Sequence, residues 1–521
     1  MSQTAINSLI GDEQKKQLKK KLWEAADVLR DKINVVFQMS YITGFMFYRY
    51  LSEQLEEHVN EDLKNDGLKY IYIYSSQVSD KYKDYSIKNL GYFLEPKYSW
   101  KEIISKIKKG DATWTIDFKK GMKQIEESDE SFKGLFAGVD LDNPKIAKDS
   151  AERRRNFEQI LESIDSINIS FNDKHIDLLG ETYEYLLGKF FESSISEAGK
   201  YFTPQSVSEI MAKIVTYGKT QAKSVYDPTC GTGSLLFRVY KELNGKVAKI
   251  YGQDTDGELI GLAKKNMLLH GIKHDGFSLE QDNTLTSPQH LNTKMEIIVA
   301  NPPFNASKWM NKKSADEWLG DERFKEWGTV SNDSNADWMF MAHIIYHLVP
   351  NGIGATLFDT GILTRGGVEK ELRTYAVKNK NVIDTVILLP AKIFNKTGTQ
   401  ACLVVFKKNR TNKDILFINA EDEFVKGKAK NLLGKENINN IVNSYINRKD
   451  VEHFSRVVSL DEVIKNDCDL NISNYVQKKV EEVEIDIVSA RKQFEENAQK
   501  INQLWAKIKE FEDELVEVED E

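Results

Sequence analysis

Met295-Glu296-Ile297-Ile298-Val299-Ala300-Asn301-Pro302-Pro303-Phe304 is the stretch on which the fold turns. Ile297 to Ala300 is a short apolar run of the kind that fills a strand covered on both faces. It stops at two prolines, which donate no N–H and fix φ, so no ladder continues past them. The result is a stiff, carbonyl-rich turn at a strand's carboxyl end, followed at once by an aromatic ring. Open α/β sheets bind ligands at that end. The Asn301 side-chain oxygen and the Pro302 carbonyl are two acceptors on one frame, suited to both hydrogens of an exocyclic –NH2. Held out of the plane of its ring, such an amine regains lone-pair density. Phe304 offers a stacking surface for the base that carries it, a contact worth about 1–3 kcal/mol in single-stranded nucleic-acid sites. Asn-Pro-Pro alone also reads as a plain strand terminator, so the surrounding sequence has to separate the two readings.

Outward from this stretch, short β-rich runs alternate with helical ones from about Ser196. The expected strands are Ser224–Tyr226, Lys249–Gly252, Phe277–Gln281, Glu296–Ala300, Ile353–Phe358, Val382–Leu388 and Cys402–Phe406, with helices such as Leu259–His270 and Asp337–Leu348 between them. That rhythm predicts an α/β class, a doubly wound, mostly parallel Rossmann-like sheet. Residues before it read mainly as helix: Leu22, Trp23, Ala26, Leu29 and Ile33 are amphipathic in spacing, and Phe37 to Leu55 is rich in aromatics. Lys64 to Ser150 is polar and reads as surface insertions, and Arg153-Arg154-Arg155 as a solvated helix face. After Lys408 the pattern turns helical and polar. Phe494, Ala498, Ile501, Leu504, Ile508, Phe511, Leu515 and Val518 then follow alternating 4 and 3 spacing with one 3–3 break, a coiled-coil seam that needs a cover, either a partner or its own chain folded back. The expected divisions are a helical N-terminal domain (1–170), the sheet core (171–410), a helical linker region (411–474) and a coiled-coil-like tail (475–521).

The 521 residues are 40% hydrophobic and 29% charged, a soluble, globular balance. No apolar run reaches the roughly 18 residues of a membrane span. Three widely separated cysteines point to a reducing cytoplasm and to neither a disulfide framework nor a zinc site. A net charge of −8 argues mildly against a chain that wraps DNA alone, but residues 475–521 hold 7 Lys+Arg against 14 Asp+Glu, which leaves only −1 for the rest.

Asp227-Pro228-Thr229-Cys230-Gly231-Thr232-Gly233-Ser234 is a strand end, a glycine turn and a helix start. Glycines let a ligand approach the backbone, and a helix N-terminus presents free N–H groups. Leu236 stands where a dinucleotide fingerprint wants its third glycine. Asp227 before the turn suits a cationic ligand better than a pyrophosphate. Asp254, ending the next strand, can accept both ribose hydroxyls, a feature that does not separate NAD from S-adenosylmethionine. Asp282, after the third strand, puts an acceptor where an adenine amine would sit. Any one of these acids alone reads as a loop or cap residue; three after three consecutive strands, with Asn-Pro-Pro-Phe after the fourth, do not.

In that order these motifs resemble those of S-adenosylmethionine-dependent N6-adenine DNA methyltransferases. Gly199-Lys200-Tyr201-Phe202-Thr203-Pro204-Gln205 resembles the preceding segment, which in that family closes over the methionine part of the cofactor. Leu389-Pro390, Ile393-Phe394 and Thr397-Gly398 resemble the modification subunit of type I restriction–modification systems, as does the overall plan. Two departures are Asp254, where relatives often have Glu, and Cys230, where Ala is common. The resemblance implies S-adenosylmethionine as cofactor, held by Lys200 to Gln205, Asp227, Gly231 to Ser234, Asp254 and Asp282. It implies catalysis by Asn301, Pro302 and Phe304 on a flipped adenine of double-stranded DNA, without a metal. Its implied partners are a separate specificity subunit, commonly gripped by two modification subunits, and restriction subunits for cleavage. A protein N5-glutamine methyltransferase, which uses a similar turn on an amide, and a non-catalytic scaffold in a DNA-binding complex are the alternatives.

Overall fold

Apolar side chains on both faces of consecutive strands force the sheet to the centre, and the computed structural model shows how far it extends. The structure describes residues 16–66, 69–70, 76–168, 176–193, 203–394, 400–427, 430–478 and 486–519. The sheet strands are β1 (Ala222–Asp227), β2 (Val247–Asp254), β3 (Phe277–Gln281), β4 (Met295–Ala300), β5 (Leu348–Asp359), β6 (Ile383–Leu388), β7 (Ala401–Lys407) and β8 (Ile415–Asn419). β9 (Val425–Lys426) and β10 (Asn431–Leu432) make a separate small hairpin, and β11 (Ser455–Val458) returns to the main sheet, whose order is β11-β8-β6-β7-β5-β4-β1-β2-β3. Pairing is parallel from β3 through β2, β1 and β4 to β5, while β7 runs antiparallel to both β5 and β6. Alternation along β4 feeds two cores: Ile297 and Val299 pack with Val225, Ala355 and Leu357 on one face, Ile298 and Ala300 with Tyr226 and Phe358 on the other.

Three expectations are corrected. The stretch after Lys408 is not a helical linker: β8 pairs with β6 and β11 with β8, so the sheet continues past residue 410. Leu416 and Ile418 alternate with Phe417 into the two cores, a five-residue strand too short for its period to outweigh polar flanks. The tail begins later than 475: Tyr475 stacks on Phe417 (centroids 4.2 Å apart), and the first compact unit runs to Gln477. Lys64 to Ser150 is not mere surface insertion either, because its helices Trp100–Lys108 and Trp114–Glu126 bury Trp100, Trp114 and Phe118.

The helical region before the sheet is built on Val35–Asp62, whose Asn34 cap accepts from Phe37 N at 3.0 Å and whose Phe45, Phe47, Tyr48 and Tyr50 are buried. Helix Ile176–Ser193 packs into the same cluster, as do Leu259, Leu262 and Leu269 from helix Gly257–Leu269, which follows β2. Lys264 and Lys265, both buried, donate from Nζ to the carbonyls of Lys133 (2.8 Å) and Leu135 (2.7 Å). The N-terminal helices are thus fastened to a helix of the sheet core. Of the three arginines, Arg153 donates to Ala147 O and Arg154 pairs with Glu158. Helix Ile487–Glu519 forms part of the second unit and carries exposed Phe494, Ile501, Leu504, Ile508 and Phe511; the side chains of Leu515 and Val518 lie outside the described residues.

Helix Asp337–His347 buries His343 and His347 against Tyr226. Arg323 can only donate to His343 Nδ1 (3.0 Å), so His343 Nε2 carries the proton and donates to the Tyr226 hydroxyl at 3.1 Å. Burial holds the His343 pKa well below the ordinary histidine value and lowers that of His347 to about 4. Below pH 6.5 the unfolded chain binds protons that these native side chains refuse, so stability falls as the pH drops toward 4. For His347 alone the shift corresponds to about 3 kcal/mol across that window. Denaturant titrations at pH 7.5 and 5 are expected to show a smaller acid loss for His347→Gln than for the parent; equal losses would contradict the assignment.

Candidate active site

β1 and β4 are adjacent, with Tyr226 paired to Ile298, so the chain leaves β4 at Asn301 beside the point where it leaves β1 after Asp227. The asparagine turn and the glycine turn therefore emerge side by side. Asn301 Nδ2 donates to Thr203 Oγ1 at 3.0 Å. With the amide nitrogen committed, Oδ1 remains as an acceptor to which nothing donates among the described residues. Pro302 is buried, and Phe304, half-buried, meets Phe394 edge-on with centroids 6.3 Å apart.

Asp227 is buried at the mouth of the glycine turn, where its Oδ1 accepts from Thr229 N at 2.9 Å. Burial pushes its pKa up to about 8; the Thr229 N–H and hydroxyl oppose the rise and the Asp254 carboxylate adds to it. Gly231 (φ 51°) and Gly233 (φ 73°) take left-handed conformations, and a Cβ on Gly233 would lie 2.8 Å from Met267 Cε. That glycine lets helix Ser234–Glu242 sit close against helix Gly257–Leu269. Thr232 is buried with its hydroxyl 3.1 Å from Ser234 Oγ. Cys230 fills the space under Gly252, where a Cβ would fall 2.9 Å from its sulfur, which explains a small residue at each position.

Asp254 braces the turn: Oδ2 accepts from Gly231 N (2.8 Å) and Oδ1 from Asp256 N (3.1 Å), while burial raises its pKa. Asp282 is held by its own loop, accepting from Asn283 N, Ser287 Oγ and Gln289 Nε2; these bonds, led by that of Ser287, keep its pKa low. A cleft of about 520 Å³ opens beyond the ends of β2 and β3, lined by Thr255, Asp256, Glu258 and Gln281 and by Ala137 of the N-terminal region. Burial, then Asp256, raises the Glu258 pKa to about 7.

Thr203, Gln205 and Ser234 line one crevice with Glu184 and Arg238, which brings the end of the Gly199–Gln205 segment to the glycine turn. Pro204 caps helix Gln205–Thr216, its carbonyl accepting from Val207 N at 3.0 Å. Lys200, Tyr201, Phe202, Thr397 and Gly398 lie outside the described residues.

Sequence reasoning missed three supports. Thr203, expected at the cofactor, also touches Asn301. Arg323, buried in the segment after Phe304, donates to the carbonyls of Thr284 (2.8 Å) and Leu285 (2.6 Å), and Thr284 in turn donates to Pro228 O. Arg365, between β5 and helix Val368–Thr374, reaches the residue after Phe304. Single loop arginines have no period or spacing that announces such contacts; for Arg365 the only signal is the following Gly366-Gly367 pair.

With these turns and acids ranged along the carboxyl ends of β1 to β4, the fold is that of a methyltransferase. The N-6 DNA Methylase family model matches residues 174–484, and that of the HsdM N-terminal domain residues 18–164. The chain is 32% identical to the type I restriction enzyme MpnII methylase subunit of Mycoplasma pneumoniae, over 96% of each chain. It is 25% identical to the MjaIX methylase subunit of Methanocaldococcus jannaschii, over 96% of this chain and 91% of that one. The crystal structure of the type I restriction-modification methyltransferase subunit from Streptococcus thermophilus superposes with a TM-score of 0.79, at 30% identity, covering 89% of this chain and all of that one. The chain belongs to the N-6 DNA methylase family, as a modification subunit of the type I restriction–modification kind, and is an adenine-specific DNA methyltransferase. No helix of the described residues is long and apolar enough to cross a membrane.

Proposed function

We propose that S-adenosylmethionine is the methyl donor and that Asn301, Pro302 and Phe304 present the adenine N6 amine to it. The observation that carries this reading is the adjacency of the Asn301 turn to the Asp227–Ser234 turn, with Asn301 Oδ1 left open by the bond to Thr203. The residues fit the cofactor chemically. Asp227 is a buried carboxylate that a cationic ligand would favour in its ionised form, and Gly231 to Ser234 let a ligand approach the backbone beside it. Asp254 and Asp282, with the cleft beyond the ends of β2 and β3, suit the nucleoside end; Lys200 to Gln205 suit the methionine end, with Thr203 shared between cofactor and Asn301. Bound there, the cofactor supplies an electrophilic sulfonium methyl.

Asn301 Oδ1 and the Pro302 carbonyl accept the two amine hydrogens and stabilise the positive charge that grows on nitrogen, a preorganised-dipole effect. Phe304 stacks on the extruded base, which offsets part of the few kcal/mol that flipping costs. The scaffold alternative requires Asn301 to be dispensable, and the experiment that decides is methyl transfer by an Asn301 variant.

The target site is set by a separate specificity subunit, with restriction subunits joining for cleavage. Support comes from helix Ile487–Glu519, whose apolar stripe calls for a partner helix, and from relatives that are themselves named as subunits. Because Tyr475 and Val476 belong to the first unit's core, the informative truncation removes Lys478 to Glu521. The shortened chain is expected to bind S-adenosylmethionine with unchanged affinity and to lose co-purification with the specificity subunit; retained co-purification overturns this.

A further inference from the structure

Asn305, immediately after Phe304, is left-handed at φ 53°. Its backbone N donates to Asp337 Oδ1 at 3.0 Å, and its side-chain Oδ1 accepts from Asn335 Nδ2 at 3.0 Å and from an Arg365 terminal nitrogen. Arg365 does not stop there. One terminal nitrogen donates to Asp337 Oδ2 (3.0 Å) and Glu369 Oε2 (3.2 Å), and the other also donates to Asp359 Oδ1 (2.9 Å). Asp337 is fully buried at the start of helix Asp337–His347, and Asp359 ends β5, the strand beside β4. One guanidinium therefore ties the residue after Phe304 to the neighbouring strand end, to helix Asp337–His347 and to helix Val368–Thr374, which follows it in the chain.

We infer that Arg365 is a positioning residue for methyl transfer: by holding Asn305 and Asp337 it fixes the downstream end of the Asn301–Phe304 turn. The physical case rests on what the turn must do. Two acceptors can orient an amine only if the frame bearing them does not drift, and displacement of about 1 Å at a reacting centre can cost about 10²-fold in rate. Prolines stiffen the turn within itself, and the Thr203 contact holds Asn301 at its upstream end. Downstream, Phe304 packs against the apolar core and meets Phe394 edge-on, contacts without the directionality of a hydrogen bond, and the polar anchor comes one residue later. The same guanidinium faces three carboxylates, so without it Asp337, Asp359 and Glu369 repel one another beside the turn. Lysine cannot replace it, because a single ammonium cannot span four acceptors in a planar fork. The cofactor constellation lies on β1 to β3, across β4 from this clamp, and should not sense its loss.

The inference rests on the catalytic reading of Asn301, and the test separates the two. Arg365→Lys, Asn305→Gly and the double variant are made in the full chain, co-expressed with its specificity subunit, with Asn301→Ala alongside. Glycine tolerates the left-handed backbone at 305, so Asn305→Gly removes the side-chain acceptor without strain. Expected are single-turnover rates at least about tenfold lower for each single variant, S-adenosylmethionine affinity within about twofold of the parent, and a double variant no slower than Arg365→Lys alone, since both act through one contact. Parent-like rates in both single variants, or rate losses matched by equal losses of cofactor affinity and melting temperature, overturn it. If Asn301→Ala is also fully active, the catalytic reading falls with it; if Asn301→Ala is inactive while the clamp variants are not, only the clamp fails.

Discussion

Asn301→Ala is expected to lower methyl transfer to adenine by about 10²–10³-fold, the range seen when one preorganised group is taken from a developing charge, while S-adenosylmethionine binding stays within about twofold. The asymmetry follows from the geometry. Asn301 ends the approach to the amine, and its one described side-chain contact is the 3.0 Å bond to Thr203. The Asp227–Ser234 turn is held independently, by Asp254 on Gly231 and by Thr284 on Pro228. Alanine therefore removes an acceptor without loosening the turn that receives the cofactor. The measurement is tritium transfer from labelled S-adenosylmethionine to duplex DNA, with calorimetric titration of the cofactor. A variant that bound the cofactor normally and methylated at the parent rate would leave the protein without the proposed site.

Asp227→Asn is expected to do the reverse, stabilising the free protein while weakening S-adenosylmethionine binding by about 10²-fold, the scale of losing an opposite charge at a buried site. The native carboxyl, with its pKa near 8, keeps a proton that the unfolded chain releases near pH 4. Between those values the unfolded state binds fewer protons, so stability falls as pH rises, by up to about 4 kcal/mol at pH 7. Asparagine keeps the acceptor for Thr229 N and cannot ionise, so it escapes that cost. Binding a cation demands the ionised form, so parent affinity should fall about tenfold per pH unit below 8 and proton release should accompany binding. The asparagine variant should show a higher melting temperature at pH 7.5 and a flat affinity profile from pH 6 to 8. A variant that bound as tightly as the parent, or a parent profile without slope, would remove Asp227 from the cofactor's cationic surroundings.

How much of this was legible depended on how local each signal was. Asn301-Pro302-Pro303-Phe304 announces itself because proline acts on its own backbone and the preceding run is apolar at every position. All seven expected strands lie in the sheet. β8 and β11 were missed because five and four residues cannot display a period against polar neighbours, and their burial comes from strands far away in the chain. Trp100, Trp114 and Phe118 looked like scattered residues in a polar stretch because their partners, such as Tyr48 and Phe45, lie more than fifty residues earlier.

The sequence by itself determined the seven strands from β1 to β7, the order of their ligand-facing turns and the chemistry each could offer, since turn geometry and side-chain type are properties of adjacent residues. Only the tertiary structure decided that Thr203 reaches Asn301, that Asp254 braces Gly231, that Asp227 is dry enough to hold its proton, and that Arg365 reaches Asn305 from the loop after β5. Desolvation and long-range hydrogen bonds depend on which distant segments meet, and no local pattern encodes that meeting.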